Sequence, residues 1–274
     1  GQIRGRAPWT VAKNLIRMRR GAGQVANIMR DFQPDVVLVT GGYVAAPVAW
    51  AAWRQNIPLL IYLPDLTPGL AIRLTSRLAT RVAVSYPEVA TYFPGKAVVT
   101  GYPVRTALLT ASKKEAKARL SLNANRPVLL VFGGSRGARS INQALIAALP
   151  ALLDHWQVLH ITGNLDWDQV VEATQELPAD AQAHYHPFPY LHDEMVDALA
   201  AADLIVARAG ASVLGEFPAV GAPSILAPYP FAGQHQAANA AYLADRGAAL
   251  VVPDSELQAD LALSIAALLA TPDR

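Results

Sequence analysis

Four glycine-containing turns, each directly after a short apolar run, carry the residues of this chain best suited to hold an anion. They are Thr40-Gly41-Gly42-Tyr43, then Gly133-Gly134-Ser135-Arg136-Gly137, then Arg208-Ala209-Gly210-Ala211-Ser212 with Glu216 one helical turn on, and finally Pro228 to Gln236, which leads into a helical segment containing Asn239. Glycine lets the backbone approach a ligand closely, and the free N–H groups at the start of a helix attract phosphate. None of the turns is G-x-G-x-x-G and none ends in Gly-Lys-Ser/Thr, so neither the dinucleotide fingerprint nor the P-loop is present. A lone Gly-Gly turn is ordinarily a plain connection between strand and helix. These four gain weight because all of them fall where the elements around them would place a ligand.

Those elements alternate. Candidate strands are Val36–Val39, Leu59–Leu63, Val82–Ser85, Val98–Thr100, Val128–Phe132, Val158–Thr162, Leu204–Ala207, Ser224–Ala227 and Ala249–Val252. They are short, apolar and not alternating, as expected of parallel strands covered by helices on both faces. Helical patterns lie between them, such as Ile141, Leu145 and Leu149 at i, i+4, i+8. This βαβα order predicts an α/β fold with doubly wound parallel sheets. The polar, Lys-rich segment Ser112 to Arg126 contains no strand, and a domain boundary is placed just before it, at Arg105. Residues 1–105 and 106–274 then form two Rossmann-like halves facing a cleft. Ligands of such sheets sit at the carboxyl ends of the strands, where the four turns are.

Composition narrows the partners. The chain of 274 residues is 53% hydrophobic and 16% charged, a globular balance, and it has no cysteine. Disulfides, thiolate catalysis and Cys-ligated metals are excluded, and a reducing cytoplasm is compatible. The net charge of +2 conceals an asymmetry, because Arg4, Arg6, Lys13, Arg17, Arg19, Arg20 and Arg30 stand against Asp31 alone among the first 31 residues. A basic end on a mildly acidic body points to an anionic surface rather than to nucleic acid. The uncharged run from Val36 to Trp53 is broken by Gly41-Gly42 and Pro47 and does not read as a membrane span. His184, His186 and His192 lie in a Pro-rich loop and strand end without helical pairing, and read as ordinary loop histidines rather than metal ligands. His235, at the start of a helix, is either a polar contact for a sugar or a cap.

The N-terminal helix has two faces. Val11, Leu15, Met18, Ala22, Val25 and Met29 form an apolar stripe at helical spacing, the core face. Trp9 and Ile16 fall about 140 to 160 degrees away from Val11, flanked by Lys13, Arg17, Arg19 and Arg20. That pattern suits a helix on an anionic membrane surface, or one covered by a further part of the chain. With Gly1 in place of Met and an apolar helical pattern running to Arg274, the chain reads as cut at both ends.

At these turns the sequence resembles the MurG family, bacterial N-acetylglucosaminyltransferases that convert undecaprenyl-linked muramyl-pentapeptide to its disaccharide form. The resemblance rests on Gly41-Gly42-Tyr43-Val44, Pro68-Gly69-Leu70, Pro103-Val104-Arg105, Gly133 to Ala138, Ala202-Asp203-Leu204, Arg208 to Ser212 with Glu216, and His235-Gln236 with Asn239-Ala240. It spans nearly the whole chain. It implies a GT-B architecture with an incomplete N-terminal domain, inverting transfer from UDP-N-acetylglucosamine, no obligatory cofactor or metal, and a peripheral location on the cytoplasmic face of the bacterial inner membrane in peptidoglycan synthesis. It further implies that Ser135 and Arg105 meet the donor diphosphate and that Leu191 lies beside the uracil. Gly210, Ala211, Ser212 and Val213 line the nucleotide, Glu216 binds the ribose and Gln236 the sugar hydroxyls. Gly41, Gly42 and Tyr43 face the diphosphate of a lipid-linked acceptor.

Two departures matter. Where the family commonly reads His-Glu-Gln-Asn before its Pro-Gly, this chain reads Tyr62-Leu63-Pro64-Asp65. Asp65 replaces a sugar-contacting Asn as hydrogen-bond acceptor but adds a charge. The family's first Gly-rich loop, with the His proposed as general base, has no counterpart from Gly1 onward, so no base is assigned and Asp65 is the substitute candidate. Little or no turnover is then expected of the chain itself. Another UDP-sugar or lipid acceptor, or a non-catalytic nucleotide-sugar binding fragment, are the alternatives. An oxidoreductase of Rossmann type would need G-x-G-x-x-G with an acidic residue about twenty positions on, which no turn supplies.

Overall fold

A computed structural model describes the backbone of residues 8–134, 136–231 and 235–269, with side chains over 20–134, 136–231 and 235–268. The chain forms two compact units, Gly1–Tyr102 and Pro103–Arg274. The division falls slightly before Arg105, which puts that residue in the second unit.

The first unit runs α1 (Pro8–Phe32), β1 (Val37–Val39), α2 (Ala45–Arg54), β2 (Leu59–Leu63), α3 (Leu70–Thr75), β3 (Arg81–Val84) and β4 (Ala97–Val99). Its four strands are all parallel and lie side by side in chain order, without the reversal of a doubly wound sheet among the described residues. Ala22 and Met29 are buried on the expected stripe of α1 and Val25 packs on the same core. The Gln55 amide at the end of α2 donates to the carbonyl of Ala26, 3.2 Å away, and fastens α1 there. The strands are apolar throughout, yet their burial alternates. Leu59, Ile61 and Leu63 are buried while Leu60 and Tyr62 are half-buried, and Leu38 on β1 is 60% exposed. One face of this sheet is less covered than its composition suggests.

The second unit opens with α4 (Thr106–Thr110) and α5 (Lys113–Arg119). It continues β5 (Val128–Phe132), α6 (Arg139–Leu152), β6 (Gln157–Ile161), α7 (Trp167–Thr174), α8 (Ala179–Gln182), β7 (Tyr185–Phe188) and α9 (Met195–Ala201). β8 (Leu204–Ala207), α10 (Val213–Val220), β9 (Ser224–Leu226), α11 (His235–Ala244), β10 (Ala249–Val251) and α12 (Leu257–Leu269) complete it. The sheet is parallel with order β10-β9-β8-β5-β6-β7. The chain therefore winds one way from β5 and returns to wind the other way from β8, so the switch point lies between the carboxyl ends of β5 and β8. All residues of β6 and β8 are buried, and Ile141, Leu145 and Leu149 of α6 have no exposed surface.

One strand differs from the sequence reading. Tyr185–Phe188, read as part of a Pro-rich loop and strand end, pairs in parallel with β6 as an edge strand. Pro187 carries no N–H for a ladder, which argues against a strand by sequence, but an edge strand needs only one paired side.

At the amino end of the sheet, away from the switch point, Asp203 acts as a staple. One carboxylate oxygen accepts from the N–H of Val128 at 2.8 Å and the other from Lys113 Nζ at 2.8 Å, with Lys117 Nζ 3.6 Å away. This joins α5 to the starts of β5 and β8. Burial alone would raise the Asp203 carboxyl, but the hydrogen bonds from Lys113 and Val128 and the two lysine charges outweigh it and hold it below its ordinary value. A carboxyl depressed in the folded state stabilises above its unfolded pKa, and that contribution is lost as pH falls through the folded value. Asp203→Ala is expected to cost about 2 kcal/mol in urea unfolding at pH 7, the range for hydrogen bonds to a charged group. The gap to the wild type should narrow as pH drops below about 4.

Candidate functional site

The turn after β5 is shaped by backbone contact. Gly137 adopts φ +77° and lies against the carbonyl of Thr162 and the Cα of Gly163, where a Cβ on Gly137 would overlap the Thr162 oxygen. Gly163, at φ +80°, meets the Gly137 backbone in the same way. Two chain segments approach here to a distance that no side chain on either permits. The Gly137 N–H closes the turn on the carbonyl of Gly134 at 3.0 Å. Gly134, at φ +90°, has open space where a side chain would project, and that space belongs to a cleft. Helix α6 starts at Arg139, with Ala138 in extended conformation ahead of it.

Beneath the turn lies a buried polar chain. Asn142, in the first turn and a half of α6, donates from its amide to the Thr162 carbonyl (2.9 Å) and to Asp166 Oδ2 (3.0 Å). Asp166 Oδ1 accepts from Arg139 Nε and Nη2 at 3.1 and 3.0 Å. The Asn142 carbonyl oxygen faces His160 Nε2 at 3.0 Å, and His160 Nδ1 faces the Tyr185 hydroxyl at 2.7 Å. Both amide protons of Asn142 are already placed on acceptors, so its oxygen takes the proton from His160 Nε2, and Nδ1 accepts from Tyr185. The network admits one tautomer. Burial pushes the His160 imidazole down to about 3 and pushes the Tyr185 phenol up, so both are neutral at physiological pH.

An open cleft of about 510 Å³ lies at the carboxyl ends of the strands in this unit. Phe132 and Ile161, the last residues of β5 and β6, form part of its wall with Gly134, Tyr190, Leu191, His192, Asp193 and Met195. The rings of Tyr190 and His192 meet edge to face at 4.7 Å. Arg105, Ser212 and Glu216 complete the lining, and Arg105 Nη2 lies 3.5 Å from Glu216 Oε1. On the neighbouring strand ends, Arg208 pairs with Asp254 at 2.5 Å and donates to the Ala227 carbonyl (3.0 Å) and to Ser140 Oγ (2.8 Å). Ser140 donates in turn to Asp254 at 2.6 Å. The ends of β8, β9 and β10 are thereby tied to the first turn of α6. Asn239, fully buried on α11, donates to the Ala209 carbonyl at 3.1 Å and fixes the turn after β8. Among the described residues no three His, Asp or Glu side chains converge as a metal-binding group would.

The model of the glycosyltransferase family 28 C-terminal domain matches residues 128–274, and that of the family's N-terminal domain matches residues 1–84. The chain belongs to this family. It is 42% identical to the UDP-N-acetylglucosamine--N-acetylmuramyl-(pentapeptide) pyrophosphoryl-undecaprenol N-acetylglucosamine transferase of Roseiflexus sp. (strain RS-1), over 93% of this chain and 65% of that protein. It is also 42% identical to the protein of the same name from Desulforudis audaxviator, over 99% of this chain and 74% of that protein. The chain thus spans about two thirds to three quarters of the length of these relatives. The MurG structure of Acinetobacter baumannii superposes with a TM-score of 0.71 at 27% identity, covering 93% of this chain and 70% of that one. A UDP-GlcNAc 2-epimerase from Neisseria meningitidis, at TM-score 0.65 and 18% identity over 93% of this chain and 73% of that one, shares the fold.

Within this family 28 chain, the residues singled out by sequence divide into groups. Arg105, Leu191, Ser212 and Glu216 line one cleft of the second unit. The Val213 side chain is buried in the core, so it reaches no ligand except through its backbone. Gly210 and Ala211 form the turn that leads into α10. Gln236, on the first turn of α11, accepts from the N–H of Tyr229 at 2.8 Å and so holds the preceding loop. Ser135 lies outside the described residues, as do the side chains of Trp9, Lys13, Ile16 and Arg17. Arg20 is exposed on α1. In the first unit Gly41 and Gly42 adopt φ +107° and +77° at the carboxyl end of β1, with Tyr43 exposed beside them. Asp65 is half-buried after β2. It is close enough to Tyr62 for its charge to reinforce the upward push of burial on that phenol, against the hydrogen bond with Ser85. Sequence reasoning missed His160, Asn142, Ser140 and Asp254. The one available signal was a histidine inside the otherwise buried run Gln157–Ile161.

The state of His160 sets a pH dependence. Below about 6.5 the unfolded chain binds a proton at this ring, while the folded chain does not until about pH 3. Stability therefore falls as pH drops through that window, by about 1.4 kcal/mol per unit for one group. Urea unfolding of the wild type is expected to lose roughly 2 kcal/mol more than that of His160→Gln between pH 6.5 and pH 5.

Proposed function

We propose that this chain supplies the donor-binding part of the transfer for which its relatives are named, in which N-acetylglucosamine passes from UDP-N-acetylglucosamine to a polyprenyl-diphosphate-linked muramyl-pentapeptide. The observation that carries the reading is the cleft at the switch point of the second unit, where Arg105, Leu191, Ser212, Glu216 and the Gly134 turn meet. A nucleoside diphosphate fits its chemistry. The rings and apolar side chains of Tyr190, Leu191 and Phe132 suit the base, and the Glu216 carboxylate can accept from two ribose hydroxyls. The diphosphate would then face Gly134, the start of α6 and the Arg105 guanidinium.

In an inverting transfer the acceptor hydroxyl oxygen attacks the anomeric carbon opposite the UDP. The new C–O bond forms as the bond to the β-phosphate breaks, and the hydroxyl proton passes to a base. The departing UDP gains negative charge, which oriented N–H groups and a cation stabilise more than they stabilise the bound donor. Ser135, Gly210, Ala211 and Gln236 are assigned to the donor by the same reading, and Gly41, Gly42 and Tyr43 to the acceptor diphosphate. Asp65 remains the candidate base in the first unit.

The acceptor's lipid tail calls for a membrane surface, and the first unit offers one. Trp50 is 43% exposed and Leu74 is 54% exposed, and with Pro47, Ala22 and Leu78 they line an apolar groove. Arg54 lies over the Trp50 ring at 5.4 Å, and Arg20, Arg73 and Arg77 are exposed. Apolar surface rimmed by arginine suits anionic lipid headgroups. Among the described residues no helix is long and apolar enough to cross a membrane, so the reading is a peripheral protein. Trp9, Lys13, Ile16 and Arg17 are assigned to membrane contact by their sequence pattern alone.

Calorimetry with UDP tests the donor site. Glu216→Ala is expected to weaken UDP by about 10- to 100-fold, the loss of hydrogen bonds to a charged group, and to leave inorganic phosphate unaffected. Tighter binding of NAD than of UDP would remove the reading. For the membrane surface, Trp50→Ser with Leu74→Ser should lower sedimentation with phosphatidylglycerol vesicles at least fivefold, and unchanged sedimentation would discard it.

A further inference from the structure

We propose that Tyr185, His160 and Asn142 form a positioning relay that sets the positions of Gly137 and Gly134, and with them the affinity of the cleft for a nucleoside diphosphate. The proposal rests on the donor-site reading for its ligand, and on geometry alone for its mechanism.

The relay crosses three elements, β7, β6 and α6, and ends at a carbonyl. Tyr185 donates to His160, His160 donates to Asn142, and Asn142 donates to Thr162 O and Asp166. Thr162 O is the atom against which Gly137 is packed, with no space for a Cβ between them. Gly137 holds Gly134 by its own N–H, and Gly134 lines the cleft. A movement of Thr162 O is therefore passed to Gly137 by direct contact and to Gly134 through the Gly137 N–H. Apolar packing of the same volume would not fix the direction of that carbonyl, whereas a hydrogen bond with a single donor and a single tautomer does.

The direction of every bond depends on its neighbour. The Asn142 amide cannot rotate, because its oxygen would then face two acceptors, Thr162 O and Asp166. His160 cannot exchange tautomers while Tyr185 donates to Nδ1. Removing the Tyr185 hydroxyl leaves Nδ1 buried without a donor and leaves the ring held by the Asn142 oxygen alone. The ring can then tilt, and the Asn142 amide and the Thr162 carbonyl lose the support that fixes their positions, although the packing volume barely changes and the amide keeps its sense. A role confined to stability would lower the melting temperature and leave the turn and the ligand preference alone.

The test uses the 274-residue chain and the variants Tyr185→Phe and His160→Gln, the second of which retains a donor at the position of Nε2. Two readouts are independent. Amide hydrogen exchange at Gly137 reports the turn without ligand, and it should quicken at least tenfold in Tyr185→Phe, less in His160→Gln, while exchange in the core of α12 stays as in the wild type. Calorimetry with UDP and with uridine reports the consequence. Tyr185→Phe should lose five- to twentyfold on UDP and less than twofold on uridine, because the turn is placed at the phosphates and not at the base. Unchanged Gly137 exchange, or equal loss on UDP and uridine, would overturn the relay. Failure of the wild type to bind UDP would overturn the donor-site reading, with Gly137 exchange still deciding the relay.

Discussion

Two stretches of backbone meet at Gly137 and Gly163 with no room for a side chain on either, and the site's geometry follows from that contact. It brings the end of β6 under the turn after β5, sets where α6 starts, and leaves Gly134 facing open space at the switch point of the sheet. Close approach of this kind removes side-chain adjustment from the turn, so its shape is determined by what lies beneath. What lies beneath is polar and fully satisfied. A buried amide, a neutral imidazole and a phenol are hydrogen-bonded in series. In a low-dielectric interior such a series is stiff because an orphaned member costs about 1–3 kcal/mol. The glycine contact and the polar chain are therefore one device seen from two sides.

How far the sequence disclosed this depends on which force set each feature. Leu59–Leu63, Val128–Phe132 and Leu204–Ala207 were readable to the residue, because burial in parallel sheets imposes uninterrupted apolar runs with turn residues at both ends. Tyr185–Phe188 was not, since Pro187 breaks the local rule and only the edge position excuses it. The alternating exposure of β1 and β2 was equally hidden, because the exposed residues are as apolar as the buried ones. The buried chain was illegible for a different reason. His160, Asn142 and Tyr185 are unremarkable in type and lie far apart in the chain; the pairing of β6 with β7 brings Tyr185 to His160, and the placement of α6 brings Asn142 to its other side. Glu216 was marked by its place after the third turn and Arg105 by family resemblance, and no local pattern announces that 111 positions of separation close to 3.5 Å.

The cleft is built so that most of its supporting polar groups already have partners. Asn239 is committed to Ala209, Gln236 to Tyr229, and Ser140 to Asp254. A ligand arriving at such a site meets supporting side chains already held in place and does not have to order them, which lowers the entropic cost of association. These supports sit after β8, β9 and β10, while β5 and β6 contribute Phe132 and Ile161 to the cleft wall directly.

The two arginines of the site show how magnitude assigns roles. Arg105 and Glu216 form an ion pair with 44% and 19% of their side chains exposed, at a separation of 3.5 Å. Exposed pairs of this kind are worth about 0–1 kcal/mol, so a ligand that offers Arg105 a phosphate and Glu216 two hydroxyls displaces the pair at little cost. Arg208 is 11% exposed and holds Asp254, Ser140, the Ala227 carbonyl and the Tyr229 ring at once. Removing one partner from a buried charge of that sort costs about 3–5 kcal/mol, more than a single new contact returns. Arg208 is therefore the fixed arginine of these strand ends, and in the proposed donor reading Arg105 is the one that turns to the diphosphate. On that reading the residue that meets the ligand is the one with the weaker bond, and the stronger bond holds the wall beside it.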